Sequence, residues 1–166
     1  LSSDGTRLAV GAPYNDGAGG YGAGHVRIFE ESGETWTQVV VDIDGEAGGD
    51  QSGHSVALSP DGSRLAVGAY RNDGAGTWAG HVRVFDITPS AWTQLGADID
   101  GEAAFDYFGS SVDISSDGTI IAAGAPRNDG GGTDAGHVKV YKESGGAWTQ
   151  LGDDINGEAA GDQFGR

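Results

Sequence analysis

The chain has 166 residues and a formal charge of −16, from 25 acidic and 9 basic residues. A surface of that charge repels nucleic-acid phosphates and anionic lipid, so the composition argues against nucleic acid and membrane as partners and favours cations. The absence of cysteine excludes disulfides and thiolate chemistry, and no apolar run reaches the ~20 residues needed to span a bilayer.

One segment of the chain occurs three times. LSSDGTRLAVGAP begins at Leu1, LSPDGSRLAVGA at Leu58 and ISSDGTIIAAGAP at Ile114, so successive copies begin 57 and then 56 residues apart. A period of this size predicts a propeller or an array of stacked units. We divide the chain into repeats 1–57, 58–113 and 114–166. The first repeat lacks its first strand, and the third runs into the first strand of a further unit.

The second repeat shows the predicted strands in order. The strands are 55–58, 64–69, 81–85 and 91–95, joined by an Asp61-Gly62 turn, a Gly-rich loop 71–80, a turn 88–90 and an acidic loop 96–109. Asp-Gly between alternating apolar runs is a strong hairpin signal. Four short antiparallel strands per repeat predict an all-β fold of β-propeller blades in an incomplete ring. An open β-solenoid is the alternative.

Two short motifs recur along the chain: Phe108-Gly109 and Phe164-Gly165 read Phe-Gly, and 11–13 and 124–126 read Gly-Ala-Pro. These motifs resemble the FG and GAP elements of the FG-GAP repeat, the blade unit of integrin α-subunit propellers. Two junctions depart from the pattern, with Ser52-Gly53 for Phe-Gly and Tyr70 for the proline. Family members that bind calcium often use a DxDxDG loop between the first two strands. That loop is only Ser-Asp-Gly or Pro-Asp-Gly here, so the family's calcium site does not carry over.

The loops after strands two and four of each repeat are expected to emerge on one face, since alternate turns of an up-and-down sheet point the same way. We call this the acidic loop face, and the resemblance implies that it binds ligand. Tyr21 and Trp78, at loop tips beside carboxylates, suit sugar stacking or contact with a protein, or they rest on the next blade. The predicted ligand or partner residues are Asp16, Tyr21, Asp73, Trp78, Asp129 and Asp134.

Oxygen-bearing side chains alternate in each acidic loop. Ca²⁺ takes six to eight oxygen ligands, and alternating Asp and Asn in a loop with glycine can supply them. The alternative is that these side chains cap turns by accepting from backbone amides. The candidate Ca²⁺ ligands are Asp42, Asp44, Glu46 and Asp50, then Asp98, Asp100, Glu102 and Asp106, then Asp154, Asn156, Glu158 and Asp162.

Two other side chains recur once per repeat. The first set, His25, His81 and His137, begins strand three and is interpreted as structural. The second set, Trp36, Trp92 and Trp148, is expected to pack between neighbouring blades, with a sugar-stacking platform as the alternative. No nucleophile lies in a catalytic motif beside a base, which argues against an enzyme.

These features predict an extracellular or cell-surface propeller segment that acts by adhesion or ligand binding through its acidic loop face. A structural unit of a fibre or surface assembly is the first alternative, and a carbohydrate-binding or carbohydrate-degrading propeller is the second. The expected partners are a protein, a carbohydrate or copies of the chain itself. Because three blades leave two faces uncovered, we expect a segment of a longer chain or a homo-oligomer.

Overall fold

The computed structural model describes all residues from Leu1 to Arg166 and contains fourteen β-strands and no helix. Sheet 1 contains β1 (Arg7–Ala12), β2 (His25–Ser32), β3 (Thr35–Gln38) and β4 (Ile43–Asp44). Sheet 2 contains β5 (Ser55–Leu58), β6 (Arg64–Ala69), β7 (His81–Ile87), β8 (Trp92–Gln94) and β9 (Ile99–Asp100). Sheet 3 contains β10 (Ser111–Ile114), β11 (Ile120–Ala125), β12 (His137–Ser144), β13 (Ala147–Gln150) and β14 (Ile155–Asn156). No helix long and apolar enough to cross a membrane occurs.

Each Asp-Gly turn is held by its own aspartate. In sheet 2, Asp61 Oδ1 accepts from Ser59 Oγ at 2.7 Å and from the Ser63 amide at 3.0 Å, and Gly62 has φ 71°. The turn sets the β5–β6 register, in which Leu58 pairs with Leu65. Corresponding hydrogen bonds from the serines and threonines of the outer repeats lower the pKa of Asp4 and of Asp117 to about 2. The predicted hairpins are therefore confirmed.

The acidic segment after each fourth strand is not wholly loop, so the sequence prediction was wrong there. Ile99 and Asp100 form β9, which pairs with Val82 and His81 at the start of β7. Between β8 and β9, Leu95 N still donates to Val84 O at 2.8 Å. The fourth strand is thus one edge strand interrupted by a bulge. In sheet 2, the side chain of Ile99 in this second half is only 6% exposed and packs into the core.

The three sheets pack face to face through two separate cores. Alternate side chains of sheet 2 point to opposite neighbours, as the period-two pattern requires. Leu65 and Phe85 join the core shared with sheet 1, whereas Val82 and Val84 join the core shared with sheet 3. The sheets therefore succeed one another like blades, and they do not close into a ring.

The glycines of the two motifs explain why the motifs recur. A Cβ on Gly68 would lie 2.1 Å from Gly109 O, so only glycine fits there. Gly109 has φ 82°, which favours glycine, and its amide donates to Gly124 O in the next sheet at 2.9 Å. The FG glycine therefore connects two consecutive Gly-Ala elements and links sheet 2 to sheet 3.

The recurring tryptophans lie between sheets where a preceding sheet exists. Trp92 packs against the core between sheets 1 and 2, and its indole donates to Val41 O at 3.2 Å. Trp148 likewise packs against the second core and donates to Leu95 O at 2.9 Å. Trp36, in sheet 1, is 43% exposed. This is the inter-sheet packing predicted from the sequence, although the two packed indoles stay partly exposed.

Candidate ligand-binding face

Two sets of loops lie side by side at one end of the sheets and form the acidic loop face. One set, residues 13–24, 70–80 and 126–136, follows the second strand of each repeat, and the other, 45–54, 101–110 and 157–166, leads to the next sheet. Parallel bridges join Gly24 to Ser52, Gly80 to Phe108 and Gly136 to Phe164. The two sets therefore share a face, as the turn geometry predicts.

The aspartates of the first loop set organise the loops themselves. Each accepts a hydrogen bond from a backbone amide five or six residues later, as in the turn-capping interpretation. The pairs are Asp16 with Gly22 at 2.8 Å, Asp73 with Trp78 at 2.7 Å and Asp129 with Asp134 at 2.8 Å. These carboxylates therefore hold the loop tips, including the backbone of Trp78, in place.

The acidic side chains of one DIDGE-type segment point to different places. Asp98 accepts from Gln94 Nε2 at 2.6 Å, and its other oxygen lies 3.9 Å from His81 of the same sheet. Asp100 lies beside the Asn72–Gly74 turn. Asp42 and Asp154 follow the Asp98 pattern, with glutamine contacts of 2.6 and 2.7 Å. Asp44 and Asn156 lie beside the equivalent turns at Gly17 and Gly130.

Asp50 and Asp106 reach towards the following sheet, whereas Glu158 and Asp162 of the last repeat do not. Asp106 is 5% exposed and accepts from Asn128 Nδ2 at 2.8 Å, in sheet 3; Asp50 does the same with Asn72 at 2.9 Å. Asp162 and Glu158 are exposed, and Asp162 accepts from Ala159 N at 2.8 Å. The four acidic positions of one segment thus do not meet at one point.

Histidine and carboxylates from different repeats do meet. Glu46 with His81 and Asp98, and Glu102 with His137 and Asp154, form two clusters whose ligand atoms all lie within 4.8 Å of one another. Each cluster joins a glutamate of one repeat to a histidine and an aspartate of the next. Burial, with Arg83 alongside, lowers the pKa of His81 to about 4, and burial also lowers the pKa of His137. The sequence interpretation of these histidines as purely structural overlooked the approaching glutamate.

Aromatic rings and two guanidinium groups form a continuous surface on the acidic loop face, mainly on loops 70–80, 101–110 and 126–136. Trp78 lies 5.6 Å from Phe105 and 6.0 Å from Tyr107, measured between ring centroids. The Arg71 guanidinium lies 5.1 Å from the Trp78 ring, and that of Arg127 lies 4.7 Å from the Tyr107 ring. We call this surface the aromatic–arginine patch: His54, Tyr70, Arg71, Trp78, Phe105, Tyr107 and Arg127.

The patch is partly exposed, and its two arginines form no ion pair. Trp78 is 37% exposed and Phe105 is 49% exposed. Neither arginine of the patch has a carboxylate within 4.0 Å, and Arg71 Nε is buried without a hydrogen-bond partner. A cleft of about 380 Å³ lined by His54, Tyr107 and Arg127 contains no acidic side chain. In a chain of charge −16, this cleft is distinct because two arginines, Arg127 and Arg166, and no carboxylate line it.

Three aromatic residues of the patch have backbone conformations that bulky residues rarely adopt. The φ angles are 52° at Trp78, 70° at Phe105 and 61° at Tyr107. Gln51 and Gln163, which correspond to Tyr107, also have positive φ, so this conformation belongs to the repeat. In the second repeat, the positions with this conformation hold aromatic side chains.

Two further clefts contain most of the ligand residues predicted from sequence. Asp16, Tyr21 and Trp78 line one of about 460 Å³ together with Arg71. Asp129 and Asp134 line another of about 450 Å³ with Phe105 and Arg127. Asp73 lines neither cleft.

Sequence reasoning missed six residues of the patch. The only available signal was the position after each Gly-Ala-Pro or Gly-Ala-Tyr motif, which holds Tyr14, Arg71 and Arg127. The ring contacts join residues about thirty positions apart, so no local pattern reveals them. The residues missed are His54, Tyr70, Arg71, Phe105, Tyr107 and Arg127.

The sequence profile of the FG-GAP repeat matches residues 36–85 and 97–141 of the chain. None of the curated proteins matches the chain.

Several solved structures have a similar fold. Two are Bacteroides proteins provisionally assigned as 6-phosphogluconolactonases: one from B. uniformis (TM-score 0.63, 16% identity) and one from B. fragilis (TM-score 0.63, 18% identity). A third is hydrazine synthase from Kuenenia stuttgartiensis (TM-score 0.51, 17% identity). Each comparison covers 95% of this chain but only 39%, 38% and 36% of the respective solved chain. At these identities the likeness concerns the fold alone.

Proposed function

The chain belongs to the FG-GAP repeat family, and we propose that it is a β-propeller segment that acts by binding an acidic carbohydrate on its acidic loop face. The observation that carries the proposal is the aromatic–arginine patch, a group of exposed rings with two guanidinium groups that have no carboxylate partner. An extracellular or cell-surface location, supported by the resemblance to integrin α-subunits, is part of the proposal.

The chemistry of the patch suits a sugar that carries carboxylate groups. Arginine binds carboxylates through two parallel hydrogen bonds, and its planar group also stacks on aromatic rings. The guanidinium groups of Arg71 and Arg127 lie over the rings of Trp78 and Tyr107, so each arginine is placed beside an aromatic surface. The exposed aromatic rings offer flat apolar surfaces to a sugar ring. A neutral sugar would leave the two guanidinium groups without a partner.

Binding accounts for the patch better than catalysis. Ser110, a hydroxyl that lines the 380 Å³ cleft, donates to Tyr107 O at 2.7 Å. Its proton is therefore directed to a backbone carbonyl and not to a base, as a nucleophile would require. We accordingly propose a non-enzymatic role.

Calorimetric titration with oligogalacturonate tests this proposal. We expect saturable binding that weakens with added salt, whereas a neutral cello-oligosaccharide of the same length should bind at least about tenfold more weakly. Arg71→Met and Arg127→Met should each weaken binding by about tenfold or more. Arg27→Met is the matched control, since Arg27 is exposed and lines none of these clefts. Equal affinity of the double Arg71/Arg127 variant, or equal binding of the neutral sugar, contradicts the proposal.

Assembly with further copies is a second candidate function, favoured by the two outer sheet faces. Ile155 and Phe164 of the third repeat are 51% and 42% exposed, whereas the equivalent Ile99 and Phe108 are 6% and 1% exposed at the interface of sheets 2 and 3. On sheet 1, Val10 is 43% exposed. Sheet 3 of one copy therefore suits sheet 1 of the next. Light scattering should show concentration-dependent growth beyond a monomer; a monomer at all concentrations rules out this candidate.

A further inference from the structure

Three potential metal ligands converge where sheets 2 and 3 meet. Glu102 comes from the segment after β9, His137 begins β12, and Asp154 precedes β14. Their ligand atoms all lie within 4.8 Å of one another, and His137 Nδ1 lies 3.7 Å from Asp154 Oδ2. This arrangement differs from the calcium site considered from sequence, because it takes one glutamate from one repeat and two ligands from the next.

The histidine supplies an observation independent of the acidic cluster. His137 is 1% exposed, and its Nδ1 has no hydrogen-bond partner although it is directed at the two carboxylates. A buried polar atom without a partner is costly, and such atoms in folded proteins often mark a missing ligand. A neutral imidazole nitrogen among carboxylates is a typical ligand set for Zn²⁺.

The cluster already attracts a cation. Lys139 Nζ bonds Glu102 and lies 3.5 Å from Asp154 Oδ1. The side chain of Lys139 is only 5% exposed, whereas that of Glu102 is 51% exposed. Lys139 is thus buried, whereas the Glu102 carboxylate is accessible to solvent.

We propose that Glu102, His137 and Asp154 form a Zn²⁺ site that fastens sheet 2 to sheet 3. Zinc would displace the Lys139 ammonium from the carboxylates and take the unused His137 nitrogen as its third protein ligand. Zinc sites with three protein ligands complete their coordination with water, which the exposed side of Glu102 admits. Calcium prefers oxygen ligands alone and larger coordination numbers, so it should bind this site more weakly.

The equivalent cluster between sheets 1 and 2 provides a control within the same chain. There, Glu46, His81 and Asp98 lie with Arg83, whose guanidinium donates to Asp44 O at 2.7 Å and lies 3.5 Å from Glu46. A guanidinium fixed by a backbone carbonyl is harder to displace than an ammonium that bonds only carboxylates. We therefore assign zinc to the Glu102 cluster alone.

The metal-free 166-residue chain can be titrated with Zn²⁺, with Co²⁺ as a spectroscopic substitute, and with Ca²⁺ for comparison. We expect one Zn²⁺ per chain, a higher melting temperature that chelator reverses, and tetrahedral absorption bands with Co²⁺. His137→Asn should abolish binding and His81→Asn should retain it. Lys139→Met should tighten binding by about tenfold or more, because it removes the competing charge.

A second variant guards against misfolding of the buried histidine variant. Because the Glu102 side chain is half exposed, the Glu102→Gln variant should keep the fold while its zinc affinity falls. Unchanged affinity in Glu102→Gln or His137→Asn, loss of binding in His81→Asn, or Ca²⁺ binding as tightly as Zn²⁺ overturns the proposal. Because these readouts use metal alone, their failure leaves the carbohydrate proposal standing.

Discussion

Replacing the phenylalanine of the FG motif tests how the repeats are held together. Phe108 is 1% exposed and packs in the core shared by sheets 2 and 3, with its ring 6.3 Å from that of Tyr141. Deleting a buried phenylalanine side chain costs about 3–5 kcal/mol. Phe164 has the same position in the third repeat but is 42% exposed. Burial of about half as much apolar area suggests about 1–2 kcal/mol for Phe164→Ala.

Urea unfolding followed by tryptophan fluorescence measures both variants on the same chain. The expected order is a large loss of unfolding free energy for Phe108→Ala and a small one for Phe164→Ala, a difference of about 2–3 kcal/mol. Because repeat proteins gain stability from nearest-neighbour interfaces, the m-value of Phe108→Ala should also fall if sheet 3 unfolds separately. Equal losses in the two variants would refute the assignment of Phe108 as the inter-sheet anchor.

Three further predictions concern single positions. Trp92→Ala should lower the unfolding free energy by about 3 kcal/mol, the low end for a large aromatic because the indole is partly exposed. Trp78→Ala should weaken oligogalacturonate binding with little loss of stability. If Trp78→Ala is the less stable of the two variants, the assignment of core and surface is wrong. Gly68→Ala should cost more than about 3 kcal/mol, since its Cβ would lie 2.1 Å from a backbone oxygen, and a variant that melts like the parent refutes that packing. Burial and Arg83 lower the pKa of His81 from 6.5 to about 4, so the stabilisation by the neutral form is present above pH 6.5 and disappears as the pH falls towards 4. Between pH 7 and pH 5, the parent should lose about 2 kcal/mol of unfolding free energy through His81, and His81→Asn should lack this part of the loss. An unchanged pH profile in the variant contradicts this.

The regular part of the fold could be predicted because its signals are local. The Asp-Gly turns, the alternation in β6 and β7 and the repeat period each lie within a few residues, and the structure has strands there. The short strand Ile99–Asp100 was missed because two residues beside acidic neighbours give no periodic signal. Its pairing depends on backbone contact with His81 and Val82 at the start of β7, which no local pattern reveals.

The candidate site was only partly predictable for the same physical reason. Trp78 was found because a loop-tip tryptophan is conspicuous by itself. Its contact with Arg71 lies within one loop, and its contact with Phe105 depends on how loops 70–80 and 101–110 of the second repeat lie together. Likewise, Glu102 and His137 are 35 residues apart in sequence, and only the packing of sheet 3 on sheet 2 brings them together. Contacts between repeats are invisible to a motif confined to one repeat.

Nuclear magnetic resonance titration with oligogalacturonate tests the central claim most directly, because it locates the ligand as well as detecting it. The account predicts saturable shifts of the Trp78 indole N–H, the Tyr107 amide and the Arg71 and Arg127 side-chain signals. Signals of the Asp-Gly turns at the opposite end of the sheets, such as Gly62 and Gly118, should stay unchanged. Shifts confined to those turns, or no shift at the aromatic–arginine patch with the ligand in excess, would contradict the proposed binding face.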